Sequence, residues 1–127
     1  MPGFAVIDLE TTGIHAGYQH RIAEVGVVLL DDHLVTEGSW GTLLDPKRDL
    51  GDSSAVHGLY ASDLAGAPSF EEVAGDLFDQ LGGRRLVAHN ARFVFGFLAY
   101  EAARADLPVI WPTPICTLLL ASTREAS

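Results

Sequence analysis

Cysteine is nearly absent from this chain: Cys116 is the only one in 127 residues. A single thiol excludes an intrachain disulfide and any four-cysteine zinc site, and a reducing, cytoplasmic compartment is the expectation. Long apolar runs are missing too. None reaches the ~18 residues that a membrane-spanning helix requires. The first residues show no basic segment followed by an apolar stretch and a small-residue cleavage site, so neither membrane nor secretory signal is expected. Basic residues are few: eight Lys and Arg stand against 17 Asp and Glu, a formal net charge of −9. Proteins that hold nucleic acid by charge alone are usually basic, which disfavours a non-specific coat. An acidic site that meets phosphate through bound cations is left open.

What is present is enough for a folded core. Apolar residues make up 48% of the chain, so disorder is not expected, and the length suits one domain over residues 1–127. Residues Phe4 to Glu10 read F-A-V-I-D-L-E, a buried strand that turns polar at its end. Thr11, Thr12, Gly13 and Gly17 then mark a loop. Ile22 to Leu30 is a second apolar, β-branched run. Asp31, Asp32 and His33 form a tight connection to a third strand over Val35 to Leu44, with Trp40 and Leu44 on one face. Pro46 to Ser54 is polar and irregular. Ser69 and Glu72 make a capping box for a helix to Leu81, in which Phe70, Val73, Leu77, Phe78 and Leu81 recur at helical spacing. Gly82 and Gly83 end it. Arg85 to Ala88 is a short strand, His89 and Asn90 lead into a helix over about Ala91 to Ala105, and Leu107 to Thr113 is strand-like but interrupted by proline. A last helical segment starts near Thr117. The expected class is α/β: three antiparallel strands, then alternating helices and strands, in a mixed sheet with helices packed on it.

Asp8 and Glu10 are the chemically informative pair. Side chains at i and i+2 of a strand share a face, so both carboxylates can lean toward one site past the strand's end. Such hard oxygen ligands suit Mg²⁺ or Mn²⁺. A bare D-x-E is more often two solvated acids at a strand end. Here the pair closes an otherwise apolar strand, and Thr-Thr-Gly follows, with hydroxyls and a flexible backbone able to grip a nucleotide.

F-A-V-I-D-L-E-T-T-G resembles the first motif of the DnaQ-like (DEDDh) 3′–5′ exonuclease family. I-A-E-V-G-V-V resembles the family's second strand, and V-H-G-L its H-G-I segment. The resemblance implies a ribonuclease-H-like fold, with Asp8 and Glu10 as catalytic metal ligands for Mg²⁺ or Mn²⁺. It also implies that Thr11, Thr12 and His57 lie near the 3′-terminal nucleotide. Without it, His57 reads as an ordinary loop histidine. L-V-A-H-N-A-R-F-V-F-G-F-L, from Leu86 to Leu98, resembles the second motif, H-N-A-x-F followed by Asp. His89 and Asn90 are thereby candidate substrate-binding residues; read alone, they are a strand-to-helix turn with Asn90 as the cap.

The position of the family's Asp is Val94 here. The third motif, H-x-x-x-x-D, supplies a general-base histidine and a fourth carboxylate, yet no histidine follows His89. The expectation is a domain cut short before that motif, without its C-terminal helices. In the two-metal mechanism one cation prepares the water and both stabilise charge on the phosphate and leaving oxygen. Half the carboxylates should hold metal weakly, and loss of the base removes a further ~10²–10⁴-fold in rate. Stepwise hydrolysis at single-stranded DNA or RNA 3′ ends is therefore the family activity, with weak or no activity expected of this chain alone. A non-catalytic nucleotide-binding or polymerase-associated module is the alternative, and an unrelated mixed-sheet domain with accidental acids a third. Missing helices would also bare one sheet face and the Phe95–Leu98 region, for which a homodimer or another packing arrangement is the expected cover.

Overall fold

The structure, a computed structural model, describes residues 3–12, 20–46, 64–107 and 114–118. Strands β1 (Phe4–Thr11), β2 (Ile22–Leu30) and β3 (Thr36–Leu43) come first. They are followed by helix α1 (Phe70–Leu81), β4 (Arg85–Ala88), helix α2 (Ala91–Arg104) and β5 (Ile115–Cys116). The sheet order is β3-β2-β1-β4-β5. The β1–β2 and β2–β3 pairs are antiparallel, as short connections allow, whereas β4 joins β1 and β5 joins β4 in parallel. Each parallel addition is reached through a helix, the connection that parallel neighbours require.

The strands alternate, but not symmetrically. Ala5, Ile7 and Leu9 of β1 and Val25 and Val27 of β2 are buried on one face. Both helices pack there: Phe70, Val73, Ala74, Leu77 and Leu81 from α1 join Ala91, Val94, Phe95, Phe97 and Leu98 from α2 in a single apolar cluster. Trp40 and Leu44 belong to the same core, as their spacing predicts. The opposite face carries Phe4, Val6, Asp8 and Glu10 along β1, half-buried or exposed, with Val28 of β2 41% exposed. Phe95, Phe97 and Leu98 are thus core residues, not the open surface expected of that region. Among the described residues the more exposed apolar side is the far face of the sheet. The reason is geometric: α2 turns these residues toward β1, β4 and β5, where the strands' own apolar residues already seal them.

Helix α1 starts as its sequence predicts. The Ser69 hydroxyl accepts the Glu72 N–H at 3.3 Å, and the Glu72 carboxylate accepts the Ser69 N–H at 3.1 Å. Ser69→Ala is expected to lower stability by about 1 kcal/mol, read as a lower urea midpoint at unchanged slope; an unchanged midpoint would show the box to be idle. Gly82 donates to the Phe78 carbonyl at 3.0 Å, and Gly83 takes the left-handed turn at φ +74°, which lacks a Cβ penalty only for glycine.

Helix α2 ends where its sequence predicts, with Ala105 as its cap. Asp106 adopts φ 59°, its N–H reaches the Ala103 carbonyl at 3.1 Å, and the Leu107 N–H reaches Ala102 at 2.8 Å. This is the paired closure of a helix terminus through a left-handed residue. Leu107 therefore closes the helix and does not begin a strand. The described strand here is Ile115–Cys116; residues 108–113 lie outside the described residues, as do the V-H-G-L stretch at 56–59 and the last segment beyond Leu118.

Candidate carboxylate site

Asp8 and Glu10 stand on the face of the sheet away from the helices. Asp8 is exposed and Glu10 half-buried. Their cross-strand partners are Gly26 and Glu24, and Gly26 in turn pairs with Gly41 of β3. A Cβ at Gly26 would meet nothing within 4 Å. The sheet beside Asp8 is thus a lane without side chains, bordered by acids. Glu24 lies directly opposite Glu10, where two like charges stand side by side. Glu24 is the residue that reading along the chain overlooks. Only the antiparallel register brings it to the pair, and the family's I-A-E-V-G stretch was its one available signal.

The ladder slips immediately after Glu10. Glu10 pairs with Glu24 but Thr11 pairs with Ile22, leaving Ala23 as an extra residue. Such a bulge re-aims the side chains beside it. Thr11 is half-buried; Thr12 is only 5% exposed. The Thr12 hydroxyl accepts the Arg21 N–H at 2.9 Å and lies 3.1 Å from His20 Nδ1, and the Thr12 N–H donates to the Arg21 carbonyl at 2.9 Å. Thr12 thereby closes the neck between β1 and β2.

His89 and Asn90 follow β4. The parallel register matches Val6 with Val87, two residues before Asp8 and His89 on their respective segments. His89 is exposed, with Nδ1 2.8 Å from the Thr117 hydroxyl. Asn90 takes a left-handed conformation, φ 62° and ψ 62°, and makes no side-chain cap. Cys116 Sγ accepts the Ala91 N–H instead, at 3.3 Å. The capping reading of the Asn90 side chain is therefore set aside. Its conformation is one that non-glycine residues adopt at a cost and that clusters at binding sites. Val94, one turn on, is 3% exposed and packed in the core. His57 lies outside the described residues.

Comparison with known proteins bears on this arrangement. The family model described as RNase_T exonuclease matches residues 5–124, nearly the whole chain. The chain belongs to the DnaQ-like exonuclease family. The chain is 39% identical over 111 residues to DNA polymerase III subunit epsilon of Escherichia coli, a match that covers 81% of this chain and 45% of that protein. Against the Haemophilus influenzae subunit it is 38% identical over 109 residues, covering 82% and 43%. The chain spans less than half the length of these relatives. Among solved structures, exonuclease X in complex with 5′ overhanging duplex DNA superposes with a TM-score of 0.70 at 28% identity, covering 95% of this chain and 63% of that one. The nuclease domain of 3′hExo, a DEDDh family member bound to rAMP, superposes with a TM-score of 0.73 at 22% identity, covering 96% and 68%, and supports the ribonuclease-H-like fold.

Exonucleases of this family use divalent metal ions, and the donor set can be tested against that need. Asp8 and Glu10 offer hard oxygens at an accessible strand end. Val94 offers none. Among the described residues no group of three or more His, Cys, Asp and Glu side chains is arranged to hold a metal ion, so Glu24 shares the face without completing a cage. Two carboxylates fit one Mg²⁺-like ion, which keeps several waters and takes substrate phosphates as further ligands. They do not fit a centre of four carboxylates and two ions. Among the described residues no helix is long and apolar enough to cross a membrane.

Proposed function

We propose that this chain carries the nucleotide-facing edge of a 3′–5′ exonuclease domain that hydrolyses phosphodiester bonds at single-stranded 3′ ends in the cytoplasm, and that by itself it is weakly active or inactive. The observation that carries the reading is the pairing of an accessible carboxylate edge with an apolar, buried residue 94. Asp8 and Glu10 are its metal ligands, for Mg²⁺ or Mn²⁺, which when bound would activate water and stabilise charge on the phosphate. Thr11, His89 and Asn90 bind the terminal nucleotide. The Thr12 hydroxyl, already bonded to the Arg21 N–H, contributes through its backbone and the shape of the neck, and His57 by family position. The likeness to polymerase III epsilon subunits supports a polymerase as protein partner. The half-buried apolar face around Phe4, Val6 and Val28 supports a homodimer that covers it.

The experiment is direct. The purified chain is incubated with 3′-labelled single-stranded DNA and RNA and Mn²⁺, beside Asp8→Ala. Little or no mononucleotide release is expected, while calorimetry with dTMP and Mn²⁺ detects binding that Asp8→Ala abolishes. Robust release that needs Asp8 would overturn the inactive reading. Absence of any Asp8-dependent binding would overturn the site itself. A purely binding role, the second reading, is favoured by Val94 and predicts affinity for 3′ ends with no turnover even after Val94→Asp.

A further inference from the structure

Glu101 is the only charged residue buried among the described residues, at 1% exposure, and nothing in the proposed reaction uses it. It sits on α2 near the end remote from His89 and Asn90. Its Oε1 accepts from Arg21 Nε at 2.7 Å and lies 2.7 Å from Arg21 Nη2. Its Oε2 accepts the Ile22 N–H at 3.1 Å. Arg104 Nη1 approaches Oε1 at 3.5 Å and the His20 carbonyl at 3.4 Å. Apart from the Arg104–Glu101 pair within α2, these contacts land at residues 20–22, where the β1–β2 ladder slips. Ile22 is the residue that pairs with Thr11 after the shift, and Arg21 donates its N–H to the Thr12 hydroxyl and accepts the Thr12 N–H at its carbonyl.

A buried ion pair is a poor way merely to hold a helix down, because desolvation consumes much of the attraction and apolar packing would serve as well. What directional bonds add is register. The Ile22 N–H must be satisfied at one place, and the planar guanidinium presents its donors in one fork. We propose that Glu101 is a positioning residue of the carboxylate site. Through Arg21 and the Ile22 N–H it pins the bulge after Glu10, and through Thr12 it sets where Glu10 and Thr11 stand relative to the His89–Asn90 turn on the same helix. The inference rests on the exonuclease-edge reading for its functional consequence. Helix α2 thereby serves the site at both ends: its first turn follows His89 and Asn90, and its last turns hold the strand end that carries Glu10.

The test uses the whole chain with Glu101→Gln, Arg21→Lys and a control, Glu37→Gln, which breaks an exposed ion pair with Arg84 at the other end of the sheet. Amide exchange at single-residue resolution is measured beside Mn²⁺ affinity in the presence of dTMP, read from the Mn²⁺ resonance signal. In Glu101→Gln the Thr12 and Ile22 amides should exchange about tenfold faster or more, with Val27 and Val87 unchanged. Mn²⁺ affinity should fall by about 10–100-fold, the usual loss when a group supporting metal ligands is removed. Arg21→Lys, which keeps the charge but loses the fork, should move both readouts in the same direction and stands in if Glu101→Gln does not fold. Glu37→Gln should move neither. Uniformly faster exchange, or local loosening with unchanged Mn²⁺ affinity, would reduce Glu101 to a structural tie and overturn the proposal. Failure of the unsubstituted chain to bind Mn²⁺ and dTMP would instead overturn the functional reading on which it rests.

Discussion

Replacing Val94 by Asp is expected to lower the melting temperature in metal-free buffer and to make it respond to Mn²⁺. Val94 is 3% exposed within the core formed by α1, α2 and the sheet. A carboxylate placed there without a partner loses its hydration, an effect on the order of 3–5 kcal/mol when a buried charge is left uncompensated. Its place in the first turn of α2 recovers about 0.3–1 kcal/mol from the helix dipole. If the first turn of α2 brings the new carboxylate round the sheet edge to Asp8 and Glu10, a divalent ion shared with them would recover more. At a free concentration 100 times its dissociation constant, a ligand that binds only the folded state adds about 2.7 kcal/mol. Thermal unfolding with and without Mn²⁺ therefore separates the two proteins: a marked metal-dependent rise for the variant and a smaller one for the unsubstituted chain. A variant whose melting is indifferent to Mn²⁺ would show that position 94 does not face the carboxylate pair. If nucleotide release from 3′ ends appears together with that metal response, the missing carboxylate is the main defect of the site.

Phe97→Ala is expected to cost about 3–5 kcal/mol, as removal of a buried aromatic side chain does. Phe97 is 1% exposed, and its ring lies 4.9 Å from that of Phe93, within the range where aromatic pairs add to their buried area. This outcome discriminates. Were the Phe95–Leu98 segment an uncovered surface, as expected from the sequence alone, the same change would fall within about 0.5 kcal/mol of neutral. Urea unfolding of the two chains measures the difference, and a small one would contradict the packing of α2 on this sheet.

Much of the fold was legible along the chain because its signals are local. The capping box at Ser69 and Glu72, the apolar spacing to Leu81 and the glycine stop are contained in fifteen consecutive residues. The short strand Arg85–Ala88 and the start of α2 at Ala91 stood where composition put them. Of the strand expected over Leu107 to Thr113 only Leu107 is among the described residues, and it closes α2 through a bond to Ala102 that depends on where the helix ends. The site was legible in the same uneven way. Asp8 and Glu10 share a face because any strand alternates, and they end an apolar strand whatever surrounds it. Glu24 and Glu101 were not legible. The first reaches the site only by antiparallel pairing with Glu10. The second is linked to Arg21 across 80 residues of sequence.

The sequence by itself determined the kind of chemistry available here: two hard carboxylates at the end of a buried strand, a valine where a third would stand, and too few cysteines for any alternative built on sulfur. These are properties of residue type and of spacing within one element, so no long-range information is needed to read them. The tertiary structure decided which face was open, that Asn90 is left-handed and Cys116 caps α2, and that Thr12 and Glu101 hold the strand end in place. Those features arise where segments distant in sequence meet, through register, crossover and burial, and each exists only once the sheet and its helices have closed around a common core.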